Sequence, residues 1–364
     1  MRSSSARSSS ARPASESHAV VDLRRDTITL PTRDMKAKAF AARLGDAVYG
    51  EDPSQHELET YAAQTMGKEA ALFAPSGTMG NLICVLAHTE RGDEIIVEEN
   101  AHIRTSETGG VAAVAGVMVR AVAARDGVLS AQDLERSIRE ENIHYPPTTL
   151  VCAETPHYRY GGIVPPIDRL RELWSAAKTR ELSVHLDGAR LHNAAVCLGV
   201  EVEQIAQLAD SVMVSLSKGL GAPAGAIVCG SREFIDRADR YRKMLGGGMR
   251  QTGWLCASGL YALSPQNAIQ LATDHEHARL LAEMIVQADG IRVNLERVHT
   301  NFVLAEVDPT VMEADLLVSR LQERGVLATL AGPSTLRFVL CREVSRAQVV
   351  RAAETIQMIV HAGS

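Results

Sequence analysis

Leu182-Ser183-Val184-His185-Leu186-Asp187-Gly188-Ala189-Arg190 is the stretch that decides the fold of this chain. An apolar run ends in an acid, turns at a glycine and delivers an arginine, as a strand does on entering a strand-to-helix turn. In open α/β sheets ligands bind beyond the carboxyl ends of such strands, so Asp187 is placed to pair with a cationic ring nitrogen. The same residue can serve as the cap of the next helix. Further along, Val214-Ser215-Leu216-Ser217-Lys218-Gly219-Leu220-Gly221 puts a lysine at the end of a second apolar run. A bare ammonium is expensive there; the cost disappears if Lys218 forms a covalent imine, or if its chain snorkels out to water. Gly219, Gly221 and Gly225 imitate a dinucleotide loop, but the last spacing is wrong and Pro223 stands where the helix should run. Upstream, Ser76-Gly77-Thr78 joins the apolar run Ala70–Ala74 to a helix and aims backbone N–H groups and a hydroxyl at an anion. No Gly-Lys-Ser/Thr follows, so this is not a triphosphate loop. Phosphate, ring nitrogen and aldehyde together match one cofactor, pyridoxal 5'-phosphate.

Around these segments the chain alternates short apolar strands with helical patterns. Strands are expected at Ala70–Ala74, Glu94–Val97, Thr149–Ala153, Leu182–Leu186, Ser211–Leu216 and Gly225–Cys229. Ser130 and Asp168 read as helix caps. This alternation predicts an α/β fold, with a large domain built on a mostly parallel sheet covered by helices. After Gly259 the pattern changes to a long helix (267–288), strand 302–306, helix 312–324, strand 336–340 and a closing helix, a smaller C-terminal α+β domain. The expected divisions are a tail at 1–19, an N-terminal arm at 20–53, a large cofactor-binding domain at 54–265 and a small domain at 266–364. The tail, rich in Ser, Ala and Arg, reads either as a solvated disordered segment or as an organellar transit peptide.

Composition narrows the function classes. Net charge is −6 and aromatics are 4%, which gives neither a phosphate-backbone footprint nor a stacking platform, so no nucleic-acid partner is expected. No apolar run reaches the length of a membrane span, and a cytoplasmic protein is expected, or a mitochondrial one if the tail is a transit peptide. The six cysteines form no C-x-x-C pair and read as small core residues in a reducing compartment. Asp274-His275-Glu276-His277 looks like a metal cluster. Residues two apart point to opposite faces of a helix, so it reads as a solvated helical face, and no metal is expected. For His88 and His192 packing is the default reading.

The chain resembles the low-specificity L-threonine aldolases, within the fold-type-I pyridoxal-phosphate enzymes, from Asp22 to its last helix. The resemblance rests on Asp22-Leu23-Arg24-x-Asp26-Thr27, Val48-Tyr49-Gly50-x-Asp52-Pro53, Ser76-Gly77-Thr78, Ala101-His102 and Gly109-Gly110. It rests further on His185-x-Asp187-Gly188-Ala189-Arg190, Leu216-Ser217-Lys218-Gly219-Leu220-Gly221 and Lys243-Met244-x-Gly246-Gly247-Gly248-Met249-Arg250-Gln251. It implies that Lys218, beside Ser217, carries the cofactor, that Asp187 pairs with its ring nitrogen and that His102 stacks on the ring. Gly77 and Thr78 would cradle the phosphate, joined by Arg250 from a neighbouring subunit. Arg190 and Arg337 would hold the substrate carboxylate, with Tyr49 nearby, and His144 and His157 match histidines near the substrate hydroxyl. The implied activity is aldol cleavage of L-threonine, L-allo-threonine or a related β-hydroxy-α-amino acid to glycine and an aldehyde. The implied assembly is a homotetramer of catalytic dimers.

Two positions depart from the family pattern. Arg25 stands where a serine that contacts the substrate carboxylate is usual, and Glu154-Thr155-Pro156-His157-Tyr158 replaces the usual Glu-Asn-Thr-His-Asn. Both fall near the substrate rather than the cofactor. Arg25 can add a contact to the α-carboxylate, open a pocket for a second acid group, or turn away to pair with a nearby acid. Two rival functions remain open to the sequence: alanine racemisation or β-elimination on the same cofactor, and a non-catalytic oligomeric module.

Overall fold

The computed structural model describes residues 20–362, so the tail and its two readings lie outside the described residues. Thirteen strands run in chain order: β1 (Val21–Asp22), β2 (Ala70–Ala74), β3 (Glu94–Glu98), β4 (Met118–Val122), β5 (Thr148–Glu154), β6 (Ser183–Asp187) and β7 (Ser211–Ser215), then β8 (Ala226–Gly230), β9 (Ile291–Arg292), β10 (Phe302–Val307), β11 (Val326–Leu327), β12 (Thr329–Gly332) and β13 (Thr335–Val339). Seven of them form the main sheet in the order β2-β8-β7-β6-β5-β3-β4. Only β8 runs against the others. Strands β2, β3, β7 and β8 are buried along their whole length, as strands covered by helices on both faces must be.

The helices start where the sequence places capping groups. Asp52 accepts from the Gln55 N–H ahead of Pro53–Thr65, which opens on a proline whose missing N–H costs nothing there. Ser130 and Asp133 form a reciprocal capping box. Asp168 is not a cap: the helix Ile167–Thr179 begins after Pro166, and Asp168 lies in its first turn, paired with Arg171. An acid there still favours the positive end of the helix dipole. The long helix expected at 267–288 is two, Pro265–Ala268 and Gln270–Ile285.

The second sheet, β12-β13-β10-β9, is antiparallel and packs its core against Gln270–Ile285, Ala314–Glu323 and Arg346–His361. Val21 and Leu23 of the N-terminal arm belong to this core, and β1 pairs with β11. Beyond β1 the arm leaves this unit, and Met35 of its helix Arg33–Phe40 joins the core of the main sheet. Five cysteines are buried, and Cys197 is exposed. No helix among the described residues is long and apolar enough to cross a membrane.

Candidate active site

The parallel strands deliver their chemistry at one edge of the sheet. Asp187 ends β6, and the loop after β7, its neighbour, carries Lys218. The Lys218 turn is closed by Gly221 N–H donating to the Lys218 carbonyl at 2.8 Å, with Gly221 at φ +80, a conformation that favours glycine. Burial, and then the Arg190 charge, push the Lys218 ammonium down to about 8, and the acids Asp187, Asp26 and Glu154 only partly offset them. Lys218 is therefore a buried amine with a substantial neutral fraction near physiological pH, as a nucleophilic lysine needs.

Asp187 keeps two supporting bonds. Its Oδ1 accepts from Ala189 N–H at 3.1 Å and its Oδ2 from Asn81 Nδ2 at 2.9 Å. His102 opens a short helix after β3, where its N–H donates to Glu154 Oε2 at 2.7 Å. Its Nδ1 lies 2.8 Å from Glu107 Oε1. Burial would lower the His102 pKa, but the Glu107 hydrogen bond and the surrounding carboxylates outweigh it and raise it. His102, Glu107 and Asp187 present atoms within 4.8 Å of one another, and Asn81 Nδ2 donates into both carboxylates at 2.8 and 2.9 Å. Ser76 caps the helix Gly77–His88 by accepting from Met79 N–H, and Gly77 and Thr78 open its first turn, the end of a helix that favours an anion.

The substrate side is built from arginines. Arg190 is buried and holds Asp26 through two parallel bonds, Nε to Oδ2 at 2.6 Å and Nη2 to Oδ1 at 2.7 Å. One edge of its fork is thus spent on Asp26, and its guanidinium lies over Phe302 at 4.8 Å and Tyr158 at 5.6 Å, with Nη1 outside the Asp26 pair. Arg337 is different. It is buried, its Nε has no partner, its Nη2 reaches Thr329 Oγ1 at 3.4 Å, it hydrogen-bonds Tyr158, and it lies over the Tyr158 ring at 4.4 Å. Burial lowers the Arg337 pKa, and the Arg25 and Arg190 charges lower it further. A buried guanidinium without a counter-ion is a seat for an anion. Arg25 is exposed and stands near enough to bias Arg337, whereas its neighbour Arg24 takes the local acid, Asp22. Among the described residues no acid pairs with Arg25, so the reading in which it turns away to a nearby acid is not what the structure holds.

Three further expected residues have other surroundings in this protomer. His144 is on an exposed loop before the first residue of β5, at the opposite end of the strand from Glu154 and Asp187. This protomer does not bring it to the site. His157 is close but wholly buried, its Nε2 3.0 Å from Glu98 Oε2 and 3.8 Å from Glu154 Oε2, and thus supports the carboxylate that orients His102. It follows a cis Thr155–Pro156 bond. Arg250 is exposed, paired with Asp46 at 3.0 Å and 5.9 Å from the exposed Tyr49 ring. Asp274 and His275, expected on a solvated face, are not: Asp274 is fully buried and pushed up to about 7 by that burial, and His275 Nε2 lies 3.0 Å from Asn193 Nδ2. Sequence reading missed Asn81, Glu107 and Glu154 as site residues. Asn81, one helical turn beyond Gly77, carried the only legible signal.

This geometry has close relatives. The family model described as Beta-eliminating lyase matches residues 22–308. The chain is 43% identical over 334 residues to low-specificity L-threonine aldolase 1 of Arabidopsis thaliana, covering 90% of this chain and 93% of that one. It is 41% identical over 335 residues to the low specificity L-threonine aldolase of Escherichia coli K12, covering 92% and 97%. Among solved structures, the Leishmania major threonine aldolase superposes with a TM-score of 0.81 at 19% identity, over 93% of this chain and 99% of that one. A Sphingomonas wittichii serine palmitoyltransferase superposes at 0.74 and 17% identity, over 94% and 88%, which places the fold among a wider set of enzymes. The chain belongs to the β-eliminating lyase family and, within it, to the low-specificity L-threonine aldolases.

Proposed function

We propose that the protein cleaves L-threonine, L-allo-threonine or a related β-hydroxy-α-amino acid to glycine and an aldehyde, with pyridoxal 5'-phosphate as cofactor. The observation that carries this reading is a buried Lys218 lowered to about 8 beside Asp187 on the adjoining strand, with the Arg337 guanidinium, free of any acid partner among the described residues, on the substrate side.

The residues fit the cofactor. Lys218 supplies the amine for its aldehyde, with Ser217 beside it, and Asp187 an anion for its ring nitrogen. His102 supplies a flat ring for its face, and Gly77 and Thr78 supply N–H donors for its phosphate. When bound, the group supplies an electron sink for the pair released as the Cα–Cβ bond breaks. The protein does the rest. Arg337, with Arg25 alongside, anchors the α-carboxylate and so fixes which bond at Cα stands across the sink. Asp187, held in place by Asn81 and Ala189, would supply a carboxylate to the ring nitrogen. His102 has its Nδ1 committed to Glu107 and its Nε2 available, so it can hold a proton at Nε2 inside the site. Asp26 neutralises the buried Arg190 guanidinium.

The assembly we propose is the homotetramer, with Arg250 completing the phosphate site of a neighbouring subunit. Support comes from exposed apolar groups on the same side, Phe40, Leu44, Tyr49 and Trp254, with Phe40 and Trp254 in edge contact at 6.2 Å. A cytoplasmic location, or a mitochondrial one if residues 1–19 act as a transit peptide, completes the proposal. The test is a panel of amino acids scored for glycine and aldehyde, with pyruvate and D-alanine measured in parallel. Glycine release from β-hydroxy amino acids is expected. Pyruvate from serine or D-alanine from L-alanine as the main product would replace this reading with β-elimination or racemisation.

A further inference from the structure

Behind Asp187 the structure holds a line of polar side chains that never reach the cofactor side. His88 Nε2 lies 2.8 Å from Ser211 Oγ, and Ser211 Oγ lies 2.9 Å from His185 Nδ1. His185 Nε2 lies 3.1 Å from Asn81 Oδ1, and Asn81 Nδ2 contacts Asp187 Oδ2 at 2.9 Å and Glu107 Oε1 at 2.8 Å. His185, Ser211 and Asn81 are buried; His88 is half-buried and stacked on Phe234 with centroids 4.5 Å apart.

Hydrogen-bond bookkeeping orients every link. Two carboxylate oxygens can only accept, so both must face the Asn81 amide nitrogen, which has two hydrogens to give. Asn81 Oδ1 then accepts from His185 Nε2–H. His185, burial-lowered to about 4, is neutral and has one N–H, so its Nδ1 accepts from the Ser211 hydroxyl. Ser211 in turn accepts from His88 Nε2–H, and burial likewise pushes His88 down to about 3. Every donor points towards Asp187. The line does not conduct protons, because the Asn81 amide has none to pass on at its oxygen. It is a row of aligned dipoles ending between two carboxylates.

We propose that His88, Ser211 and His185 act through Asn81 as positioning residues that hold the Asp187 carboxylate in place beside Glu107, and so set how firmly the protein holds its cofactor. The inference rests on the pyridoxal-phosphate reading above. Like charges this close repel; aligned donors aimed between them hold both in place, and each polarises the next. Burial and the Asp187 charge do raise the Glu107 pKa. The remaining groups around Asp187 are His102 across Asn81, Lys218 after β7, Cys84 and Cys152 on the flanking helix and strand, and His157 beyond. At the outer end, His88 faces Arg237 and Lys178.

His88 is the informative position, since it lies near the surface and far from the chemistry. His88→Phe keeps the stack on Phe234 and removes the donor; His88→Gln keeps a donor. The measurement is the dissociation constant of pyridoxal phosphate for the full chain across pH, with thermal midpoints recorded beside it. In His88→Phe the dissociation constant should rise about threefold, the scale of losing part of one neutral hydrogen bond. His88→Gln should restore the wild-type value. His185→Phe should weaken binding further. An unchanged dissociation constant in His88→Phe overturns the proposal, as do equal changes in His88→Phe and His88→Gln, which would mean simple packing. A wild-type chain that binds no cofactor overturns both this inference and the function it rests on, whereas normal cofactor binding without glycine release would sink the reaction alone.

Discussion

Removing the Lys218 amine should stabilise the cofactor-free protein, and the gain should shrink as pH rises. The folded chain holds this amine at about 8, against 10.5 for a free lysine. Below the folded value the fold must carry a charged ammonium it disfavours; above the unfolded value the amine is neutral in both states and costs nothing. The full difference corresponds to about 3 kcal/mol at neutral pH, at 1.36 kcal/mol per unit. Near pH 9.5 less than half of that remains, so the stability gap between Lys218→Met and wild type should narrow by up to about 2 kcal/mol between roughly pH 7 and pH 9.5. Comparing the two pH values cancels the packing difference between the side chains. The assay is urea unfolding of both apoproteins at each pH, with matched slopes. If the two curves move in parallel with pH, the amine is not held in a depressed state, and the argument that burial makes Lys218 a nucleophile fails.

Three further outcomes are expected. Arg25→Ser should leave the preference between 3-hydroxyaspartate and threonine unchanged, since Arg25 stands beside Arg337 at the α-carboxylate; a shift of about tenfold towards threonine, the scale of one charge-assisted bond, would give Arg25 a second acid group instead. Arg250→Ala should weaken cofactor affinity more than it lowers kcat at saturating cofactor, and a fully active monomer at assay concentration would refute the shared site. Asp26→Asn strips the buried Arg190 of its counter-charge and should destabilise the fold by about 3 kcal/mol; a loss below about 1 kcal/mol in denaturant would mean water replaces the pair.

The sequence was legible where one local pattern had one cause. Ala70–Ala74 reads as a strand because all five residues are buried between helices. Asp187 and Lys218 were legible because a charge at the end of an apolar run is conspicuous. β4 was not, because it is the sheet edge, half-exposed and carrying Arg120, which serves Glu94 of β3. His144 and His157 shared a suggestive spacing, yet β5 lies between them and sends them to opposite ends of the sheet. Spacing along a chain does not say which end of a strand is the working end. Asp274 escaped because its helix is covered on a side that periodicity assigns to water. Asn81 and Glu107 needed partners 106 and 26 positions away, which no local window contains.

Asp26 has a consequence for how the protein comes to life. Its carboxylate is clasped by Arg190, 164 positions later, and by Asn301, 275 positions later at 3.4 Å. A nascent chain cannot close that clasp until almost all of it has left the ribosome, and contacts this remote form late. Closing the clasp therefore joins the two ends of the polypeptide. A chain cut before Asn301 would hold all seven strands of the main sheet and still lack Asn301 and Arg337 on the substrate side.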